Sequence, residues 1–177
     1  PLVDNHMIAA YISPDKQYYF LDATSDHTPF GLPSSMIQGK EALISKGPGT
    51  FEVKEVPVLP REKNVMTDSM VVRLEGNAIA GYGTSTLTGY PKVFGGYELD
   101  RAEKDDVTKY VTKLVGKGSN KFFLDEYDVA NLNERDKPTT IRYKFRVLDY
   151  FQEVDDEIYV NLNLNKEYYN TFINTEK

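Results

Sequence analysis

Cysteine is absent from this 177-residue chain, and tryptophan is absent as well. Without cysteine the chain can form no disulfide, hold no thiolate-bound metal and supply no cysteine nucleophile. Histidine is scarce, because only His6 and His27 occur. Few side chains can therefore serve as a metal-ligating imidazole or as a general base near neutral pH. A cysteine-dependent reaction carried out by this chain alone is excluded.

The chain also lacks long apolar runs and an excess of positive charge. No run approaches the roughly 20 apolar residues that a membrane-spanning helix needs. The formal net charge is −6, and an acidic surface repels phosphate backbones. Neither GxGxxG nor a P-loop is present. We predict no membrane span in this chain, no nucleic-acid partner and no cofactor. The first residue is Pro1 and no signal peptide is visible, which predicts an internal piece of a longer polypeptide.

The residues that are present favour strands. Thirteen tyrosines and nine phenylalanines occur, and aromatic residues are enriched in sheets. Apolar and polar residues alternate over 141–147 and 157–164, and a further strand is predicted over 122–129. The runs 68–75 and 78–87 flank Gly76-Asn77, a two-residue hairpin signal. This pattern predicts antiparallel strands with one solvated face, on which Arg142, Lys144 and Arg146 are balanced by neighbouring acids.

One helix is predicted, over 100–116. Asp100 is the expected N-cap and Glu103 lies three residues later, as in a capping box. Gly116 and Gly118 are expected to end the helix. An apolar stripe at helical spacing supports the prediction and consists of Val107, Tyr110, Val111, Leu114 and Val115. The Gly-, Tyr- and Pro-containing segment 89–97 is predicted to be a loop.

A boundary between two folding units is predicted over 57–63, which carries two prolines and three charges. The expected domains are therefore residues 1–60 and 61–177. The predicted fold class is mainly β (α+β): a few antiparallel strands come first, and a β-sandwich-like domain with one helix packed on it follows.

The first residues are predicted to form a hairpin that brings His6 to Asp22. Two strands over 5–24 are separated by the turn signal Ser13–Lys16. A loop of Ser13–Asp15 would place His6 directly opposite Asp22, with β-carbons roughly 4.5–5.5 Å apart. The aspartate can then orient the imidazole, and the other ring nitrogen can face a nucleophile. The simpler alternative is a polar residue at the end of a strand and an aspartate that caps the next turn.

Three segments carry a resemblance to a known family, namely Asn5–Ala10, Tyr19–Thr24 and Thr28–Pro33. They resemble the His and Asp motifs of the transglutaminase-like superfamily, in its exported, Bacteroides-type bacterial branch. The resemblance covers residues 1–56, and residues from about 60 to 177 resemble the domain of unknown function that follows the core in such proteins. The family's cysteine, which lies at a helix N-terminus upstream of the histidine, is not in this chain.

The resemblance implies a fragment of a cysteine acyl-transfer enzyme, either a protease or amidase or a transglutaminase. His6 would be the general base and then the acid, and Asp22 would orient it. The implied partners are a peptide or protein amide substrate and the missing N-terminal part of the same polypeptide. The implied localisation is periplasmic or otherwise exported.

A non-catalytic binding or structural module is the alternative function. Aromatic groups at 18–20, 90–97 and 143–151 could line a glycan- or peptide-binding surface, although core packing is the more common role. Candidate metal ligands occur at His27 with Asp22 and Asp26, and at two acidic runs, 105–106 and 155–157. None meets a known ligand spacing, so no metal is predicted and His27 is expected to be a solvated loop residue.

Overall fold

The computed structural model describes residues 6–165. These residues form ten strands and two α-helices, so the predicted mainly β (α+β) class is confirmed. They divide into two compact units. The first unit comprises 6–67, 86–100 and 131–139, and the second comprises 68–85, 101–130 and 140–165. The predicted boundary cut the chain once, whereas these units are discontinuous in sequence.

The first unit contains two antiparallel hairpins. Strands β1 (Ala9–Ile12) and β2 (Tyr18–Leu21) form one, and β3 (Glu41–Gly47) and β4 (Thr50–Glu55) form the other. A short 3₁₀ turn, Arg61–Lys63, follows. The hairpins share a hydrophobic core, which buries apolar side chains away from water. Its buried members are Phe20, Ile44 and Val56, with Ile8, Tyr18, Ile37 and Ala42 packed around them.

Helix α1 (Gly89–Leu99) also belongs to the first unit, and it occupies the segment that was predicted to be a loop. That prediction is wrong for two reasons. Pro91 lies in the first turn, where its missing N–H leaves no hydrogen bond unmade. The cap comes from a distant residue: the Asn64 side-chain oxygen accepts the backbone N–H of Tyr90 at 3.0 Å. A tertiary cap of this kind leaves no local sequence signal.

The second unit is built on a four-stranded sheet. Its strands are β5 (Met66–Glu75), β6 (Ala78–Leu87), β7 (Phe122–Ala130) and β8 (Thr139–Leu148), in the order β5-β6-β8-β7. The predicted hairpin at Gly76-Asn77 is confirmed, and Gly76 has a φ of +59°. Glycine adopts this left-handed conformation without steric cost, as a tight hairpin turn requires.

Strand β8 alternates as predicted. Ile141, Tyr143, Phe145 and Val147 are buried, and the three basic residues between them are exposed. Each basic residue pairs with an acid on β7: Arg142 with Asp128, Lys144 with Glu126, and Arg146 with Asp125. The interpretation of this row as a solvated, charge-balanced sheet face is confirmed.

A β-bulge explains why the β7 pattern is less regular than that of β8. The register shifts between Leu124 and Glu126, which leaves Asp125 as the extra residue. Before the bulge Phe122 and Leu124 are the more buried residues, and after it the parity changes to Tyr127 and Val129. The bulge therefore keeps apolar residues on one face although the sequence spacing changes.

The predicted helix over 100–116 is confirmed in its second part only, as α2 (Lys104–Val115). Asp100 is not its N-cap: the Asp100 backbone N–H closes the last turn of α1 on Gly96, at 2.8 Å. Arg101 then adopts a φ of +59°, which interrupts the helical path. Glu103 occupies the N-cap position, and Gly116 is the C-cap, as predicted.

The expected β-sandwich is not found in the described residues of the second unit. Helix α2 contacts β7, and the Thr108 hydroxyl lies 2.9 Å from that of Tyr127. The remaining sheet is a hairpin of β9 (Phe151–Val154) and β10 (Glu157–Val160), whose side chains are mostly exposed. Strand β10 also ends four residues before the predicted end at 164. The unit is therefore a sheet with a helix on it.

Candidate active site

The candidate site is the contact between His6 and Asp22 at the open end of the β1–β2 hairpin. The Nε2 atom of His6 lies 2.8 Å from Oδ2 of Asp22. Phe20, two residues before Asp22, is buried in the core of the first unit. This buried neighbour anchors the end of β2, from which Asp22 projects. The predicted juxtaposition of the two residues is confirmed.

The register that led to this prediction is wrong. The observed pairs run from Ala9–Leu21 to Ile12–Tyr18, so the connection between the strands is longer than Ser13–Asp15. Ser13 closes it by donating its backbone N–H to the Gln17 carbonyl at 2.9 Å, and Lys16 has a φ of +64°. His6 precedes the first paired residue. It reaches Asp22 from outside the strand ladder, where strict register does not apply.

Asp22 is held by its neighbours as an ionised carboxylate. Its Oδ1 accepts the Thr24 hydroxyl at 2.7 Å and the Thr24 backbone N–H at 3.1 Å. Burial raises the pKa of Asp22, but the hydrogen bonds from Thr24 and His6 outweigh it and hold the pKa below its ordinary value. Oδ1 of Asp22 therefore accepts the hydrogen bonds of the turn, and Oδ2 contacts the imidazole.

The His6 imidazole is more exposed to solvent than the Asp22 carboxylate. The Asp22 side chain is 2% exposed, whereas that of His6 is 29% exposed. Because Nε2 contacts the carboxylate, Nδ1 is the ring nitrogen left for a second partner. A base whose one nitrogen is fixed by a carboxylate and whose other nitrogen faces outward can accept a proton from a nucleophile and return it to a leaving group.

Thr24 is a site residue that was not predicted from the sequence. The string Asp22-Ala23-Thr24 is the signal that could have identified it, because an aspartate commonly accepts the N–H two residues ahead in an Asx-turn. Asp22 therefore caps the following turn, which is the simpler alternative, and also contacts His6.

The prediction that His27 is a solvated loop residue is wrong. Its side chain is 15% exposed, and its ring meets that of Tyr97 edge-on, with centroids 5.0 Å apart. A β-carbon placed on Gly96 would lie 2.7 Å from the His27 ring, so only glycine allows this packing. Nε2 of His27 is 3.8 Å from Oδ2 of Asp100. The residue packs on α1, and the metal set with Asp22 and Asp26 is not assembled there.

No group of three or more His, Cys, Asp or Glu side chains within residues 6–165 is arranged to hold a metal ion. In the same part of the chain, no helix has the length and apolar character to cross a membrane. The acidic pair Asp105-Asp106 lies in the first turn of α2, where negative charge favours the helix.

The aromatic groups divide between core and surface. Tyr143 is buried and Tyr97 is exposed, so neither role applies to all of them. A three-ring cluster lies on the hairpin of the candidate site. Tyr19 is 4.9 Å from Phe30 and 6.0 Å from Tyr11, measured between ring centroids. Tyr11 and Phe30 are exposed, which makes this cluster an accessible apolar surface.

Comparison with known proteins gives no indication of function, so the interpretation depends on the geometry of the His6–Asp22 contact. A scan of protein-family models, a search of curated proteins and a search of solved structures each give no match for this chain.

Proposed function

We propose that this chain is the His/Asp part of a transglutaminase-like cysteine acyl-transfer enzyme, whose nucleophile is supplied by an upstream segment of the same polypeptide. The observation that carries the proposal is the 2.8 Å contact between His6 Nε2 and the buried Asp22 carboxylate. The His6 side chain is partly exposed, so the imidazole is accessible to another group. By itself the chain is inactive, since it contains no cysteine.

The proposed roles follow from the atoms. Nδ1 of His6 removes the proton from the upstream thiol, and the thiolate attacks an amide carbonyl. The imidazolium then protonates the leaving amine. Asp22 stabilises the imidazolium electrostatically and holds the ring in one orientation. Thr24 keeps Asp22 ionised and fixed, so it is a positioning residue. Water or an amine then resolves the acyl-enzyme, which gives hydrolysis or transamidation. The substrate class is a peptide or protein amide, in a periplasmic or otherwise exported setting.

The test uses the longer polypeptide, extended upstream to include a cysteine. His6→Ala and Asp22→Asn should each lower kcat for amide hydrolysis or transamidation, by about 100-fold or more if the pair performs acid–base catalysis. Asp26→Asn is the matched control for Asp22, because Asp26 is an exposed aspartate of the same loop. Full activity in both site variants would disprove the assignment, as would an upstream region without any nucleophile.

A non-catalytic binding module is the second candidate, and the cluster of Tyr11, Tyr19 and Phe30, in which Tyr11 and Phe30 are exposed, favours it. Exposed aromatic rings bind sugars and apolar peptide side chains by stacking. Under this proposal the isolated chain should bind an oligosaccharide or a peptide, and Phe30→Ser with Tyr11→Ser should abolish binding. His6→Ala should leave that binding unchanged, which separates the two candidate functions.

A further inference from the structure

A second cluster of reactive side chains lies in the second unit and shares no residue with the candidate active site. Lys117 Nζ is 2.5 Å from Asp68 Oδ2 and 2.5 Å from the Tyr143 hydroxyl. Asp68 Oδ1 accepts two hydroxyls, from Tyr143 at 2.7 Å and from Ser85 at 2.7 Å. The Lys117 side chain is 2% exposed and that of Asp68 is 13% exposed.

Four different elements bring these groups together. Asp68 lies on β5, Ser85 on β6 and Tyr143 on β8, while Lys117 follows the end of α2. The Lys117 ammonium lies 4.6 Å from the centre of the Tyr143 ring. A β-carbon at position 83 would overlap the Tyr143 phenol, so the glycine there makes room for the hydroxyl. The centre of the Phe145 ring lies 5.6 Å from the same ammonium. The cluster is therefore held by the sheet and flanked by two aromatic rings.

We propose that Lys117 and Asp68 condense to an intramolecular isopeptide bond, which links β5 covalently to the segment that follows α2. The inference is independent of the proposed acyl-transfer function, because it uses none of the same residues. It assigns a self-modification site to a buried pair that would otherwise be an ordinary ion pair.

The reaction balances without any co-reactant. One proton passes from the Lys117 ammonium to Asp68 Oδ2, which gives a neutral amine and a carboxylic acid. The amine attacks Cγ, and the developing negative charge on Oδ1 is stabilised by the Tyr143 and Ser85 hydroxyls. A second proton moves from nitrogen to Oδ2, the Cγ–Oδ2 bond breaks, and water leaves. The third proton stays on the amide nitrogen.

The surroundings favour each requirement of this reaction. Burial lowers the pKa of Lys117 despite the opposing effect of Asp68, so the reactive neutral amine is more accessible than at a surface lysine. Burial and Asp68 together raise the pKa of Tyr143, which keeps its hydroxyl protonated as a donor. The two donors contact Oδ1 and the amine contacts Oδ2, so the oxyanion site and the leaving oxygen are already distinguished.

The same unit offers a matched control. Lys121 Nζ is also 2.5 Å from an aspartate, Asp149, but their side chains are 53% and 52% exposed. Lys121 holds the pKa of Asp149 below its ordinary value, which keeps it an unreactive carboxylate. Proximity is therefore equal in the two pairs, and only the buried pair has the enclosed surroundings and the two hydroxyl donors.

The test is the mass of the intact, denatured chain followed by peptide mapping. We expect a mass lower than that of the sequence by one water molecule, and one branched peptide joining the segments of Asp68 and Lys117. Asp68→Ala and Lys117→Arg should restore the full mass. Tyr143→Phe and Ser85→Ala should slow the loss of water, and circular dichroism should establish that these variants are folded.

The outcomes separate the proposal from its rivals. Full sequence mass in the folded wild-type chain after prolonged incubation overturns it. Loss of water with only linear peptides also overturns it, because that pattern indicates an aspartyl succinimide. A branched peptide at Lys121 and Asp149 would show that proximity alone suffices, and would overturn the role assigned to the buried hydroxyls.

Discussion

The two units each contain a short contact between a nitrogen and an aspartate, and the two contacts differ in enclosure. In the first unit His6 meets Asp22 at 2.8 Å, with the base partly exposed and the acid buried. In the second unit Lys117 meets Asp68 at 2.5 Å, and both groups are largely enclosed. The first pair can act on an external molecule, because one partner faces outward. The second pair can react only with itself.

The hydrogen bonds around Asp22 and Asp68 also differ between the partly exposed pair and the enclosed pair. Asp22 accepts the hydroxyl and the N–H of Thr24 and remains ionised, as the partner of an imidazolium must. Asp68 accepts two hydroxyls on one oxygen and an ammonium on the other. Burial there destabilises both charges, since a desolvated ion pair recovers only part of its lost hydration.

The largest expected loss of unfolding free energy is at the buried pair of Lys117 and Asp68. Lys117→Met leaves Asp68 buried with neither its cation nor a bond to it, and removing one partner of a buried pair typically costs about 3–5 kcal/mol of unfolding free energy even where no bond has formed. Urea denaturation measures the loss. Lys121→Met is the control and should cost at most about 1 kcal/mol, because its pair with Asp149 is exposed. Equal losses in the two variants would show that enclosure does not distinguish the pairs.

A smaller loss of unfolding free energy is expected at the pair of His6 and Asp22. Asp22→Ala removes the charged acceptor of Thr24 and His6, and a hydrogen bond to a charged group typically contributes about 1.5–3 kcal/mol to stability. His6→Ala should cost less, because the imidazole is partly exposed and water can replace it. Urea denaturation of both variants tests this order. A larger loss for His6→Ala than for Asp22→Ala would contradict the description of the site.

The stability that Asp22 contributes should depend on pH. Its pKa is lowered on folding, so the stability it contributes is present above the unfolded value of about 3.9 and is lost as pH falls through the folded pKa. Thr24→Val removes a hydroxyl that lowers this pKa, so the folded pKa should rise, and the loss of stability on acidification should be smaller and end at a higher pH. An NMR titration of the Asp22 carboxyl carbon measures the shift. Thr28→Val is the control, since its hydroxyl bonds Ser25 instead.

The smallest effect is expected on the outer face of the sheet. Lys144 and Glu126 are directly opposed and 2.7 Å apart, but both are exposed. Lys144→Met should change the unfolding free energy by at most about 1 kcal/mol, and added salt should reduce the difference. Thermal unfolding at two salt concentrations tests this, and a loss as large as that of Lys117→Met would be inconsistent with it.

Regular patterns made much of the second unit predictable. The alternation over Ile141–Val147 predicted β8, and Gly76-Asn77 predicted the hairpin between β5 and β6. The apolar stripe from Val107 to Val115 predicted α2. These signals are local, because side-chain direction repeats every two residues in a strand and every 3.6 in a helix. The start of α2 was misplaced, since the turn at Arg101 depends on the end of α1.

Helix α1 was unpredictable for a related reason. Gly89, Pro91 and Gly96 favour a loop when they are considered locally. In the fold, Asn64 caps the helix from a distance, and Gly96 allows the close approach of His27. The predicted sandwich failed because alternation identifies a wet and a buried face without saying whether a helix or a sheet covers the buried one.

The absence of a cysteine nucleophile from this chain and the choice of His6 and Asp22 as the candidate site both follow from the amino-acid sequence alone. Chain chemistry and short-range spacing suffice for such statements. The tertiary structure was needed to learn which ring nitrogen meets Asp22 and that Lys117 meets Asp68. These contacts join residues whose separation along the chain carries no periodic signal, so packing alone brings them together.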